Sequence, residues 1–195
     1  MNRTAKITRN TRETQITVEL DLDGTGKHSI STGVPFLNHM LELLSRHSLI
    51  DLTVQATGDT DVDDHHTVED IGIVIGDCLN EALGDHKGIR RYGFMLLPMD
   101  DSLSQIAIDL SGRPYLVYDV KCPHEFLKTF DVQLVEEFFR ALMTQARMNL
   151  HIHCLYGNET HHILESVFKG FARSLRMAVE KDPRDQGIPS SKGVL

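Results

Sequence analysis

Two short runs of the sequence carry the residue types that hold metal ions. Asp64-His65-His66-Thr67-Val68-Glu69-Asp70 returns as Thr160-His161-His162-Ile163-Leu164-Glu165-Ser166. Each run opens a stretch whose apolar residues recur at helical spacing: Val68, Ile71, Val74, Ile75 and Leu79 in one, Ile163, Leu164, Val167, Phe168, Phe171 and Leu175 in the other. A single His-His-x-x-Glu is a weak signal, but its recurrence points to a duplicated unit whose halves both contribute ligands. On a helix the first His and the Glu share a face, while adjacent histidines diverge by about 100°. One ion cannot easily collect all three. The simplest arrangement sends His65, Glu69 and His162 to one ion and His66, His161 and Glu165 to a second. That predicts a dinuclear site, and imidazole with carboxylate suits manganese, iron or zinc better than magnesium.

The elements that must position these donors also repeat. Pro35 to Leu44, with His39, and Gln133 to Leu142, with Glu137, both read as amphipathic helices. Each precedes a strand (Asp51 to Gln55; Asn149 to His153), a turn and then the ligand helix. A lone His or Glu on a helix is ordinarily a satisfied or solvated residue; it is the equivalence of His39 and Glu137 within a repeat that makes both candidate ligands. Further strands are expected at Thr4 to Arg9 and Gln15 to Leu22, around the turn that holds Glu13. The second half adds Phe94 to Met99, Ser104 to Leu110 and Tyr115 to Val120. The predicted fold class is α+β: a duplicated half-domain, each half a mainly antiparallel four-stranded sheet with two helices on one face. The expected halves are residues 1–86 and 87–184, with a C-terminal tail, 185–195, contributing to the substrate site. Gly84 is placed to stop the first ligand helix.

Composition limits the partners. At 195 residues and 41% hydrophobic the chain can bury a proper core. A formal net charge of -8 argues against nucleic acid or an anionic membrane. Three cysteines, Cys78, Cys122 and Cys154, lack metal-type spacing and read as buried thiols in a reducing compartment. The polar N-terminus offers no stretch of signal or membrane length, so a cytoplasmic protein is expected. His151 and His153 lie on a strand, and their spacing assigns them no role.

Arg90-Arg91 and Arg113 follow or occupy glycine turns, Lys169 lies one turn beyond Glu165, and the tail ends Ser190-Ser191-Lys192-Gly193-Val194-Leu195. Singly these are ordinary solvated charges. Beside a metal site they could clamp an anionic group, because Arg forks bind phosphate bidentately and Lys supplies a point charge. No glycine-rich nucleotide loop is present, so the anion would be a small-molecule phosphate.

Taken together, Pro35-Phe36-Leu37-Asn38-His39-Met40-Leu41, Asp63 to Asp70, Gly88-Ile89-Arg90-Arg91-Tyr92-Gly93, Asp109-Leu110-Ser111-Gly112-Arg113-Pro114-Tyr115, His161 to Glu165 and Ser190 to Leu195 resemble the imidazoleglycerol-phosphate dehydratase family, a lyase family of histidine biosynthesis. The resemblance runs from about Ile7 to the last residue. It implies a manganese enzyme with two Mn2+ per site, assembled as a homo-oligomer of 24 subunits with sites between subunits. By motif the ligands fall on His39, His65, His66, Glu69, Glu137, His161, His162 and Glu165. Glu137 stands where relatives often have His, and Asn38 where Asp is frequent, which weakens any case for a carboxylate orienting His39. The family's phosphate-binding positions match Arg91, Arg113, Lys169, Ser190 and Lys192. Its acid/base glutamate matches Glu13, and His47 matches a histidine near the substrate.

The implied reaction dehydrates imidazole glycerol phosphate to imidazole-acetol phosphate. Two cations on the imidazole nitrogens would stabilise an imidazolate, letting hydroxide leave from the carbon next to the ring and giving a diazafulvene-type intermediate. Glu13 would take the side-chain proton, and the enol would tautomerise to the ketone. Two other readings compete: a dinuclear metallohydrolase acting on a small phosphate ester, and a non-enzymatic metal-storage or assembly protein.

Overall fold

The computed structural model describes residues 3–195. Strands β1 (Thr4–Asn10) and β2 (Thr14–Asp21) form a hairpin. They are followed by β3 (His28–Ser31), helix α1 (Pro35–Ser48), β4 (Asp51–Gly58) and helix α2 (His65–Leu83). The same series returns as β5 (Tyr92–Met99), β6 (Ser102–Asp109), β7 (Tyr115–Asp119), α3 (Leu134–Gln145), β10 (Asn149–Tyr156) and α4 (Thr160–Val179). A small hairpin, β8 (Phe126–Leu127) with β9 (Phe130–Asp131), interrupts the second series before α3.

The sheets have orders β1-β2-β4-β3 and β5-β6-β10-β7, so the two halves share one topology. In each, three strands are antiparallel and the last joins in parallel. Equivalent rows run across them: Ile7, Val18, Val54 and Ile30 in the first, Met95, Ile106, Ile152 and Tyr118 in the second. Alternation of buried and exposed positions along β2 and β6 turns one face of each sheet towards the helices. The α+β architecture and its duplication are those expected. Strand β3 was not anticipated, since its four residues are mostly exposed and only pairing with β4 makes them a strand.

The helices of one half pack on those of the other, α1 against α4 and α2 against α3. The apolar stripes meet in one core, where Phe138, Phe139, Phe168 and Phe171 stack within 5.0–5.6 Å centroid distances. Contact between α2 and α3 is close because Gly72 and Gly76 present no side chain. A Cβ on Gly76 would lie 2.4 Å from the Leu142 carbonyl oxygen, and one on Gly72 2.7 Å from that of Phe138. Pro35 opens α1, where a missing N–H costs nothing. Leu49, at φ 62°, and Gly84, at φ 57°, end α1 and α2. Among the described residues, no helix is long and apolar enough to cross a membrane.

The outer faces of the two sheets differ. The first is polar, with a Lys6–Glu19 ion pair and a Thr8–Thr17 hydroxyl pair. The second exposes Tyr92, Phe94 and Leu96 on β5, Tyr115 on β7, and Leu155 and Tyr156 on β10.

Candidate metal centre and substrate site

Packing of α1 on α4 brings His39 to the ligand pair of the second half. His39 Nε2 lies 3.0 Å and His161 Nε2 3.1 Å from the same Glu165 oxygen, Oε1. The three donors fall within 4.8 Å of one another, the one such convergence of metal-binding groups among the described residues. Two imidazoles and a carboxylate at that spacing fit a borderline divalent cation. Glu165 is 8% exposed. Burial pushes its carboxyl up, but hydrogen bonds from Lys169 and His39, the charge of Lys169 and a hydrogen bond from His161 outweigh it and hold the group at about 2. Beside this cluster lies a cavity of about 410 Å³ bounded by Phe36, Leu127, Lys128 and Phe130 along with His39 and His161.

Among the described residues no third donor joins the equivalent pair of the first half at such a spacing. His65 Nε2 is 3.6 Å from Glu69 Oε2, as helical spacing requires. Glu137 sits in the first turn of α3, the helix packed on α2, with its carboxylate 3.9 Å from Arg140 Nε.

The second histidine of each pair points elsewhere. His66 Nδ1 lies 3.0 Å from Asp59 Oδ2, and its Nε2 3.9 Å from Glu13. His162 Nδ1 lies 2.7 Å from Asp101, with Asp100 3.6 Å from its Nε2. Hydrogen bonds to Asp59 and Asp101 raise the two imidazole pKa values, helped by Glu13 beside His66 and by Glu159 beside His162. Within one chain, therefore, His66 does not join His161 and Glu165, so the simplest single-chain sharing of ions is not made. The cause is the divergence of adjacent side chains on one helix, which sends one imidazole to the facing helix and the other to the loops. The carboxylates that receive them were not among the candidates drawn from the sequence: Asp59 lies in the loop between β4 and α2, and Asp100 and Asp101 form the turn between β5 and β6.

Asn38, standing where a carboxylate is frequent, accepts from the Thr32 backbone N–H and hydroxyl at 3.0 and 2.6 Å. It fixes the chain entering α1.

Of the expected anion clamp, Lys169 is ion-paired with Glu165 and within 3.3 Å of Met99 Sδ. His47, in the last turn of α1, is half-buried. Burial first, then Lys169, Arg173 and Arg46, push its imidazole pKa down. Arg113 is exposed, with one contact to the Ser111 carbonyl at 3.3 Å. Arg91 is already engaged: two nitrogens donate to Asp109 at 2.6 and 3.1 Å and a third to the Pro189 carbonyl at 2.9 Å. It thus ties down the tail that carries Ser190 and Lys192. That tail runs back over the turn after β6, where a Cβ on Gly112 would meet the Leu195 carbonyl carbon at 2.9 Å. Ser190 Oγ accepts from the Lys192 backbone N–H at 3.2 Å. Glu13 is exposed at the β1–β2 turn.

Comparison with known proteins places this arrangement. A family model described as imidazoleglycerol-phosphate dehydratase matches residues 32–175. The imidazoleglycerol-phosphate dehydratase of Paracoccus denitrificans is 59% identical over 194 residues, covering 99% of this chain and all of the relative. That of Geobacter sulfurreducens is 55% identical over 195 residues, the full length of both. Among solved structures, imidazoleglycerol-phosphate dehydratase from Staphylococcus aureus superposes with TM-score 0.84 at 43% identity, covering 92% of this chain and 99% of that one. The enzyme from Pyrococcus furiosus gives TM-score 0.84 at 36% identity, covering 97% and 100%.

Proposed function

From the fact that the chain belongs to the imidazoleglycerol-phosphate dehydratase family, hydro-lyases of histidine biosynthesis, we propose that it works with two Mn2+ ions per site, in sites completed by a second copy of the chain. The observation that carries this reading is the split of the two ligand pairs. His161 meets His39 and Glu165, whereas His162 and His66 face out beside their own carboxylates, free to serve a site on a neighbour. His39, His161 and Glu165 would hold one ion. His65, Glu69 and Glu137 would be the matching set, with His66 and His162 supplied from another copy. Glu137, in place of a second imidazole, makes its set richer in oxygen, which favours manganese over softer-ligand metals.

The exposed apolar face of β5, β7 and β10 supports a homo-oligomer, since large apolar patches on a folded chain mark association surfaces. A 24-subunit shell is the assembly we propose. Of the three cysteines expected to be buried, Cys78 is and Cys122 and Cys154 are only half-buried; as free thiols they agree with a cytoplasmic location.

When bound, the cations supply positive charge at the two nitrogens of the substrate's imidazole, which lets the ring hold electrons while water leaves. The protein's own groups do the rest. Glu13, beside His66 and in solvent, takes the proton from the glycerol side chain. Lys169, Arg113, Ser190 and Lys192 receive the phosphate, and Arg91 keeps the tail in place for it. Anchoring the phosphate away from the ring fixes which carbon faces the carboxylate. His47, kept neutral by burial and neighbouring cations, can hydrogen-bond substrate without adding charge.

The test is turnover of imidazoleglycerol phosphate with manganese, before and after chelation, together with metal analysis. The reading requires ketone product without release of inorganic phosphate, loss on chelation, and recovery on adding Mn2+. Phosphate release would favour a metallohydrolase, and metal uptake without turnover a storage protein.

A further inference from the structure

Asp70 is a buried carboxylate, 7% exposed, one residue beyond Glu69 on α2, and the mechanism above does not use it. Its side chain points to the β1–β2 hairpin. Arg9 Nε donates to Oδ1 at 3.0 Å and the Thr14 hydroxyl to Oδ2 at 2.5 Å. Arg9 and Thr14 bracket the turn that carries Glu13. Within the turn, the backbone N–H groups of Glu13 and Thr14 both donate to the Thr11 hydroxyl, at 3.1 and 2.9 Å. The Glu13 carbonyl then accepts from Asp59 N–H at 3.1 Å, and Asp59 holds His66. Hydrogen bonds therefore link the ligand helix to both feet of the Glu13 turn.

The second half of the molecule serves as an internal control. Ser166 occupies the place of Asp70 and turns inward, donating to the Ile163 carbonyl at 2.7 Å and pairing with Ser104 at 2.5 Å. Ser102 opens β6 as Thr14 opens β2, and its buried hydroxyl has no partner. The same hairpin packs on the same kind of helix there without an acid. A buried ion pair is in any case weak grounds for stability. The second half makes this packing with Ser166 in that place, whereas the half that carries Glu13 has Asp70.

We propose that Asp70 is a positioning residue for Glu13, holding its turn at a fixed distance from the metal ligands of α2. The proposal rests on the reading that Glu13 moves the substrate proton. Displacement of a reacting group by about 1 Å costs on the order of 100-fold in rate. In the manganese-loaded, full-length protein, Asp70→Asn should lower kcat by roughly 10–100-fold and change KM by less than about threefold, with metal content unchanged. Thr14→Val should show the same pattern, and Thr14→Ser, which keeps the donor, should restore most of the rate. The decisive measurement is the double variant: Glu13→Gln with Asp70→Asn should be no slower than Glu13→Gln alone within about twofold, because a group acting only through Glu13 has nothing left to position. Amide exchange over residues 11–14 should accelerate in Asp70→Asn. Multiplicative losses in the double variant, or unchanged exchange in the turn, overturn the proposal. If Glu13→Gln keeps wild-type turnover, the proton-transfer reading falls, and the exchange result alone then decides whether Asp70 holds the turn.

Discussion

Nε2 of His39 lies 3.0 Å from Oε1 of Glu165, a residue 126 positions away. Nothing local joins them; the contact exists because α1 packs on α4. His161 and Lys169 converge on the same carboxylate.

Glu165→Gln removes the charge while keeping the shape. Its affinity for manganese, followed by calorimetry, should fall by more than roughly 100-fold, beyond the 10–100-fold usual for losing an outer partner of a ligand. Turnover should fall with it. Retained affinity would mean that the ion is held elsewhere.

His47 carries a pH signature. Burial, then Lys169, Arg173 and Arg46, hold its pKa below the ordinary 6.5. The unfolded chain therefore takes up a proton that the folded one refuses. His47 leaves stability intact above pH 6.5, and stability is lost as pH falls from there through the depressed folded value. Ring titration by NMR should place its midpoint below 6.5, and Lys169→Met should raise it. A midpoint at or above 6.5 would contradict the packing of α1 against α4.

Gly76→Ala should be costly. The added methyl would sit 2.4 Å from the Leu142 carbonyl oxygen and 2.8 Å from Gln145 Cβ. Backbone cannot swing aside, so α3 must move off α2, at about 1–3 kcal/mol. At about 2–4 °C per kcal/mol for a chain of this size, the thermal midpoint should drop by several degrees.

Arg113 and Arg91 should behave differently. Arg113→Ala deletes an exposed charge with one weak contact, so kcat should hold within a few-fold while KM rises about 10–100-fold, as for a lost charged hydrogen bond. Arg91→Lys breaks the bidentate grip on Asp109 and the bond to Pro189. Faster proteolysis and amide exchange of the tail should accompany its kinetic defect.

The types and local spacing of the donors were legible in the chain itself. His65 with Glu69 and His161 with Glu165 face the same way because helical geometry is a property of neighbours four residues apart. Their recurrence also revealed the duplicated halves and placed His39 and Glu137 on equivalent helices. The tertiary structure alone decided the rest. It joined α1 to α4 and α2 to α3, turned His66 and His162 to Asp59 and Asp101, engaged Arg91 with Asp109, and made His28–Ser31 a strand by laying it along β4. Those outcomes depend on which apolar stripes bury one another and where glycines let backbones meet, relations between segments far apart in the chain that no local spacing encodes.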